Sequence, residues 1–181
     1  MSRVRFATTQ ALFDAFPDLY QRVEAKPTDA GPIIFLKSLV SAGKLDDAVA
    51  FCAYLLPRRE AVWWACGCTR ALVGDIPRDR ATGLLAAEAW VYDPDEDHRK
   101  AALEVGMAGD GNNPSTWLAL GAGWSSGSLF TLVPAPVPPY MTARCTRIAV
   151  LLSAISLKAD VRSARLKACI AEGIKLAETG L

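Results

Sequence analysis

PRREAVWWACGCTRAL, residues 57–72, opens on two arginines and a glutamate, closes on Arg70, and carries no charge from Ala61 to Thr69. In a helix, successive side chains turn through about 100°, so this run places apolar, small or thiol groups on every side. A helix apolar on all sides belongs in the middle of a core. The same geometry sets Cys66 and Cys68 about 200° apart, so the CxC pair cannot chelate one ion. Zinc would need further ligands, yet the chain has one histidine, His98, and no CxxC. Buried thiols acting as small hydrophobes are the expectation, with Trp63 and Trp64 anchoring two packing layers.

The 3.6-residue period extends from this core in both directions. It predicts helices at about 32–42, 45–56, 57–73, 78–92, 94–108, 114–124, 141–158 and 160–179, with no convincing alternating strand. Asp93 before Pro94, and Asn113 before Pro114, read as helix caps followed by a proline at the first helical position. Gly74, Gly109 and Gly180 stand where the chain leaves helices. The expected fold is all-α: an antiparallel multi-helix bundle occupying residues 32–181 as one domain, preceded by an N-terminal arm, residues 1–31. Consecutive helix pairs leave a repeat-like solenoid open as an alternative to an irregular bundle.

With 181 residues, 51% hydrophobic and 22% charged, the composition is that of a globular domain. The formal net charge of +1 argues against broad phosphate neutralisation, and therefore against a general nucleic-acid binder. Five cysteines with no small-domain framework fit reduced thiols in a cytoplasm. The N-terminus lacks a signal-peptide pattern, and the most apolar run, Ile148 to Leu157, is half a bilayer span.

Several short matches to catalytic or metal motifs lack their context. GWSSG, residues 123–127, spells a nucleophile elbow, but a helix precedes it and the only histidine lies upstream. Asp93, Asp95, Asp97 and Glu104 fall on calcium-loop positions, but His98 stands where the loop needs glycine, so capping and dipole compensation are the better reading. Ser41 and Lys44 have SxxK spacing without its companion motifs. His98 reads as a surface residue. An enzyme could still assemble a site from Asp46, Asp47, Glu60 or Glu88 with Arg58, Arg59 or Arg70, although their spacing gives it no support.

The longest connection, SSGSLFTLVPAPVPPY (residues 125–140), lies in a zone without charge between Asp110 and Arg144. A proline-stiffened loop of this length is uncommon in a compact domain. Either it packs down over the bundle, or it offers a protein contact surface through Phe130, Leu132, Val133, Pro136 and Tyr140.

The segments LLPRREAVWWACGCTRAL, AAEAWVYDPDEDHRKAAL, TWLALGAGWSSGSL and VPAPVPPYMTARCTRIAVLLSAI together resemble an uncharacterised bacterial helical family associated with type VI secretion gene neighbourhoods. The resemblance covers about Leu55 to Ile155 and carries no catalytic residues with it. It implies a cytoplasmic accessory or adaptor protein, without cofactor or metal, that contacts a secreted effector or a spike component. An immunity protein that neutralises a cognate toxin is the alternative of similar size and chemistry.

Overall fold

The computed structural model describes residues 4–128 and 135–181. Among these it is all-helical, with nine α-helices, one short 3₁₀ turn and no strand. The helices are α1 (Thr9–Ala15), α2 (Pro32–Ser41), α3 (Leu45–Leu55), α4 (Arg58–Val73), α5 (Thr82–Tyr92), α6 (Glu96–Ala108), α7 (Pro114–Gly123), α8 (Met141–Ser153) and α9 (Ala159–Thr179). The 3₁₀ turn spans Pro17–Gln21.

Contacts far apart in sequence decide between solenoid and bundle. α4 packs against α5, α7, α8 and α9, while α3 packs against α2, α8 and α9. A solenoid joins each repeat only to its neighbours, so this is an irregular bundle around α4. Val62, Ala65 and Cys66 are fully buried, and the Trp64 indole N–H donates to the Cys169 carbonyl at 2.8 Å, tying α4 to α9. A second buried link joins α4 to α8, where Ser153 Oγ donates to Thr69 Oγ1 at 3.1 Å.

The first 31 residues hold more structure than an arm. Thr8 caps α1 by accepting from the Ala11 amide, and Leu12, Phe13 and Leu19 are fully buried in the same core as α2 and α3. The rings of Phe13, Phe35 and Phe51 lie within 6.4 Å of one another in pairs. Helix α1 is only seven residues long, too short for periodicity to reveal, and its order comes from this aromatic packing.

Three boundaries differ from expectation. α5 begins at Thr82 rather than near Arg78. Asp93 ends α5 in an extended conformation, as the proline that follows demands, and the cap of α6 is Asp95, whose carboxylate accepts from the His98 amide at 2.8 Å. α8 stops at Ser153 rather than near Lys158, and Ala154 to Leu157 form a turn and bend. At Asn113 the expected cap is present, its side chain accepting from the Ser115 amide at 3.1 Å with Pro114 first in α7.

Gly109 is not in a left-handed exit. It is small because a Cβ there would lie 2.4 Å from Thr116 Oγ1, and the α6–α7 contact continues at Gly123, where a Cβ would meet Leu103 Cα at 2.6 Å. The two backbones approach too closely for side chains between them. Gly67 on α4 contrasts with these, since a Cβ there meets nothing within 4 Å. Gly123→Ala is therefore expected to lose about 2 kcal/mol through overpacking, whereas Gly67→Ala should gain roughly 0.5–1 kcal/mol from helix propensity. Urea unfolding monitored by circular dichroism measures both, and equal effects would contradict the packing described.

Candidate functional site

Helix α4 is not enclosed all round. Trp64 is buried, but Trp63 is 47% exposed, and Gly67 and Ala71 continue the open stripe at helical spacing. The reason is the path of α9, which crosses the buried side at Cys169 and Gly173 and leaves a groove beside it. A Cβ at Gly173 would meet Cys52 Sγ and the Trp64 ring, so α9 can settle this close only because glycine is there.

The groove encloses about 520 Å³. Trp63, Gly67, Ala71 and Ala168 give it an apolar surface, Leu176 and Leu181 extend it, and Arg165, Glu172 and Lys175 carry its charges. Arg165 is held in place, with Nη1 donating to the Ala71 and Leu72 carbonyls at 3.2 and 3.1 Å near the end of α4. Glu172 and Lys175 lie 3.9 Å apart on the outer rim. No side chain in this groove forms a nucleophile–base pair. What the arrangement offers is contact: an aromatic face, small residues that permit close approach, and a rim of both signs.

The five cysteines are free and buried, Cys66 and Cys68 as expected of the CxC pair. Cys66 faces the side of Arg70 and Glu88, whereas Cys68 meets Cys169 and Cys52. Burial pushes the Cys52 and Cys66 thiols well up, and the Cys145 thiol up to about 12. Cys68 is raised by burial and by the hydrogen bond it gives to Cys169, which is lowered by receiving it. The thiols pushed up by burial are poor nucleophiles, and Cys169 lies at the wall of the groove.

The residues proposed for the loop surface divide. Phe130, Leu132 and Val133 lie outside the described residues. Pro136 is exposed and pairs with Ser128 in an isolated antiparallel bridge, which closes the base of the loop along with the Val137 amide donating to the Gly127 carbonyl at 3.1 Å. Tyr140 sits at the start of α8 beneath the Arg144 guanidinium, whose Cζ is 4.7 Å from the ring centroid.

Sequence reasoning missed Arg99, the anchor of this loop base. Its Nη1 donates to the Gly123 carbonyl at 2.6 Å, its Nε and Nη2 donate to Glu96 at 2.7 Å, and Gly127 rests on the guanidinium. The bidentate contact holds the Glu96 carboxyl down to about 2. GWSSG is thus the end of α7 and the turn beyond it, seated on an arginine; Arg99 stood in a charged run, DEDHRK, with nothing to mark it as buried.

The other candidate groups are dispersed. Arg70 pairs bidentately with Glu88 at 2.7 Å, Arg59 donates to the Val91 carbonyl at 2.7 Å, and Arg162 pairs with Asp46 at 2.6 Å. Ser41 donates to the Lys37 carbonyl while Lys44 reaches Glu24, so the SxxK pair is not assembled. Asp93, Asp95 and His98 bring possible metal-ligand atoms within 4.8 Å of one another at the surface. Asp95 is committed to capping α6, with His98 Nδ1 at 2.9 Å from the same oxygen, and Asp97 and Glu104 lie inside the helix rather than on a loop.

Thiol titration checks the burial. An aromatic disulfide reagent should find all five thiols in urea, but react with the folded protein roughly 100-fold more slowly, Cys169 first. Rapid stoichiometric reaction at Cys66 in the folded state would contradict the placement of α4.

Among the described residues no helix is long and apolar enough to cross a membrane. No curated protein and no solved structure matches the chain. A family model does match, over residues 35–177, from the second turn of α2 to the last turn of α9. The chain belongs to that family, a family of unknown function designated DUF6931.

Proposed function

We propose that this is a non-catalytic accessory protein that works by holding a partner protein, in the cytoplasmic, type VI secretion setting implied by the resemblance of its motifs. One observation supports contact over catalysis: the groove between α4 and α9, where Trp63 stands 47% exposed over small residues in an apolar wall. A tryptophan in this position gains by being covered, since removing apolar area from water contributes about 25 cal/mol per Å². Exposed aromatics in concave apolar surfaces are where binding energy concentrates.

The partner that suits this shape is an amphipathic helix of a secreted effector or spike component. Its apolar stripe would lie along Trp63, Gly67, Ala71 and Ala168, and its polar flanks would meet Arg165, Glu172 and Lys175. The loop base at Pro136 and Tyr140 lies on α8 and the loop before it, so the two surfaces can be separated by mutation.

The test is copurification with the neighbouring secretion proteins, followed by affinity measurement with the partner recovered. Trp63→Asp should weaken binding about thirtyfold or more, equivalent to about 2 kcal/mol. Pro136→Asp should leave it within about twofold if the groove alone carries the contact. Full binding by a folded Trp63→Asp protein would remove the groove from the proposal. Suppression of a coexpressed toxin's activity by purified protein would instead favour an immunity protein.

A further inference from the structure

Outside the residues that line the groove, the 3₁₀ turn, α3 and α8 bring several charged groups together. Tyr54 on α3 donates its hydroxyl to Asp18 Oδ2 at 2.5 Å, and Arg144 Nη2 lies 3.6 Å from the same oxygen. Arg147 is one turn from Arg144 on α8, and so on the same side of that helix. Arg22 closes the 3₁₀ turn that begins at Pro17. The three arginines lie close enough to act on one another: burial first, then Arg22 and Arg144, hold Arg147 below its ordinary value, and Arg22 and Arg144 also act on Tyr54.

Burial here leaves hydrogen-bonding capacity unused. The Nε atoms of Arg22, Arg144 and Arg147, and Oδ1 of Asp18, are the buried side-chain polar atoms without a partner among the described residues. Buried polar groups are nearly always paired, and four orphans in one cluster point to a missing group. The charge points to its sign. Three guanidiniums face one carboxylate, because the nearby Asp46 is already engaged by Arg162 at 2.6 Å and Tyr54, raised by burial and by its bond to Asp18, stays neutral. A formal excess of two positive charges remains, with Arg144 also stacked on Tyr140 and only a third of its side chain exposed.

We propose that Arg22, Arg144, Arg147 and Asp18 form a binding site for inorganic phosphate. Guanidinium forks match the oxygens of a tetrahedral oxyanion, and an unpaired Nε in each provides one arm of the fork. The orphaned oxygen of Asp18 selects among such anions. A carboxylate oxygen accepts but cannot donate, so it needs an O–H on the ligand. Inorganic phosphate near neutral pH retains at least one such proton, sulfate retains none, and the dianion of a phosphate monoester retains none. The site is distinct from the α4–α9 groove, and its occupancy does not depend on the reading given to that groove.

Calorimetric titration of the full chain near pH 7 distinguishes these anions, with phosphate, sulfate and glycerol 3-phosphate as separate arms. Phosphate is expected to bind with a dissociation constant below about 10 mM and to raise the melting temperature. Sulfate and glycerol 3-phosphate should each bind at least roughly tenfold more weakly. Arg22→Gln and Arg147→Gln should each weaken phosphate about tenfold or more, Arg147→Lys by less, and Lys167→Gln on α9 not at all. Asp18→Asn should erase the preference for phosphate over sulfate. The proposal is overturned if phosphate gives no saturable heat, if sulfate binds equally to the unaltered chain, or if folded Arg22→Gln and Arg147→Gln proteins titrate like the original.

Discussion

The bundle depends on one helix being surrounded. α4 presents apolar groups in every direction, and α5, α7, α8 and α9 cover most of them. Apolar burial has no direction of its own, so it fixes that α4 is central without fixing which neighbour lies where. The register comes from polar groups that must find partners once buried. Trp64 Nε1 has its acceptor on Cys169, 105 residues away, and Thr69 meets Ser153 across 84 residues. Each bond contributes only about 1 kcal/mol net, but leaving its buried groups unpaired would cost about 1–3 kcal/mol. Misplaced packings of α9 or α8 bear that cost, and this selects one arrangement.

Close approach provides the other constraint. Where α6 meets α7, and where α9 meets α3 and α4, glycine lets backbone or ring atoms occupy the place of a Cβ. These contacts bring Gly123 within reach of Arg99, and Arg99 in turn supports the turn at Gly127 from which the long loop departs. A loop without charge therefore departs from a turn seated on a buried arginine, whose partner Glu96 stands exposed at the rim of the bundle. The hydrophobic interior and the placement of the loop follow from the same close contact.

Most of the architecture was legible from local rules. The period of 3.6, the caps at Asn113 and the helix ends at Gly74 and Gly180 are properties of short windows, so α2 to α9 could be located within a few residues. α1 was not legible, because seven residues give too little periodicity and its stability rests on Phe35 and Phe51 elsewhere in the chain. The separate environments of Cys66 and Cys68 followed from the helical angle. The groove did not, because an apolar stripe reads the same whether α9 covers it or passes beside it. Trp63 and Trp64 are adjacent, chemically identical and oppositely placed, and only the path of a helix a hundred residues later distinguishes them. Arg99, Arg22 and Arg147 were hidden for a similar reason: a charge in the sequence reads as a solvated surface until long-range packing buries its stem.

Sites of function are expected where local preference and environment disagree, since a chain retains such conflicts only when something offsets them. Two conflicts stand out in this fold and they are opposite in kind. At Trp63 an apolar group is left in water, which a covering surface would relieve. At Arg22, Arg144 and Arg147 polar groups are taken out of water without partners, which an anion would relieve. The elements involved are different, α4 and α9 for one and the 3₁₀ turn, α3 and α8 for the other, yet α3 and α8 both pack on the helices that shape the groove. A ligand that binds only the folded chain stabilises every element on which its site depends. Filling the arginine cluster would brace α3 and α8, and through their contacts with α4 and α9 it would stiffen the walls of the groove. The order of the two events is then immaterial thermodynamically: if an anion favours the partner, the partner favours the anion by the same factor.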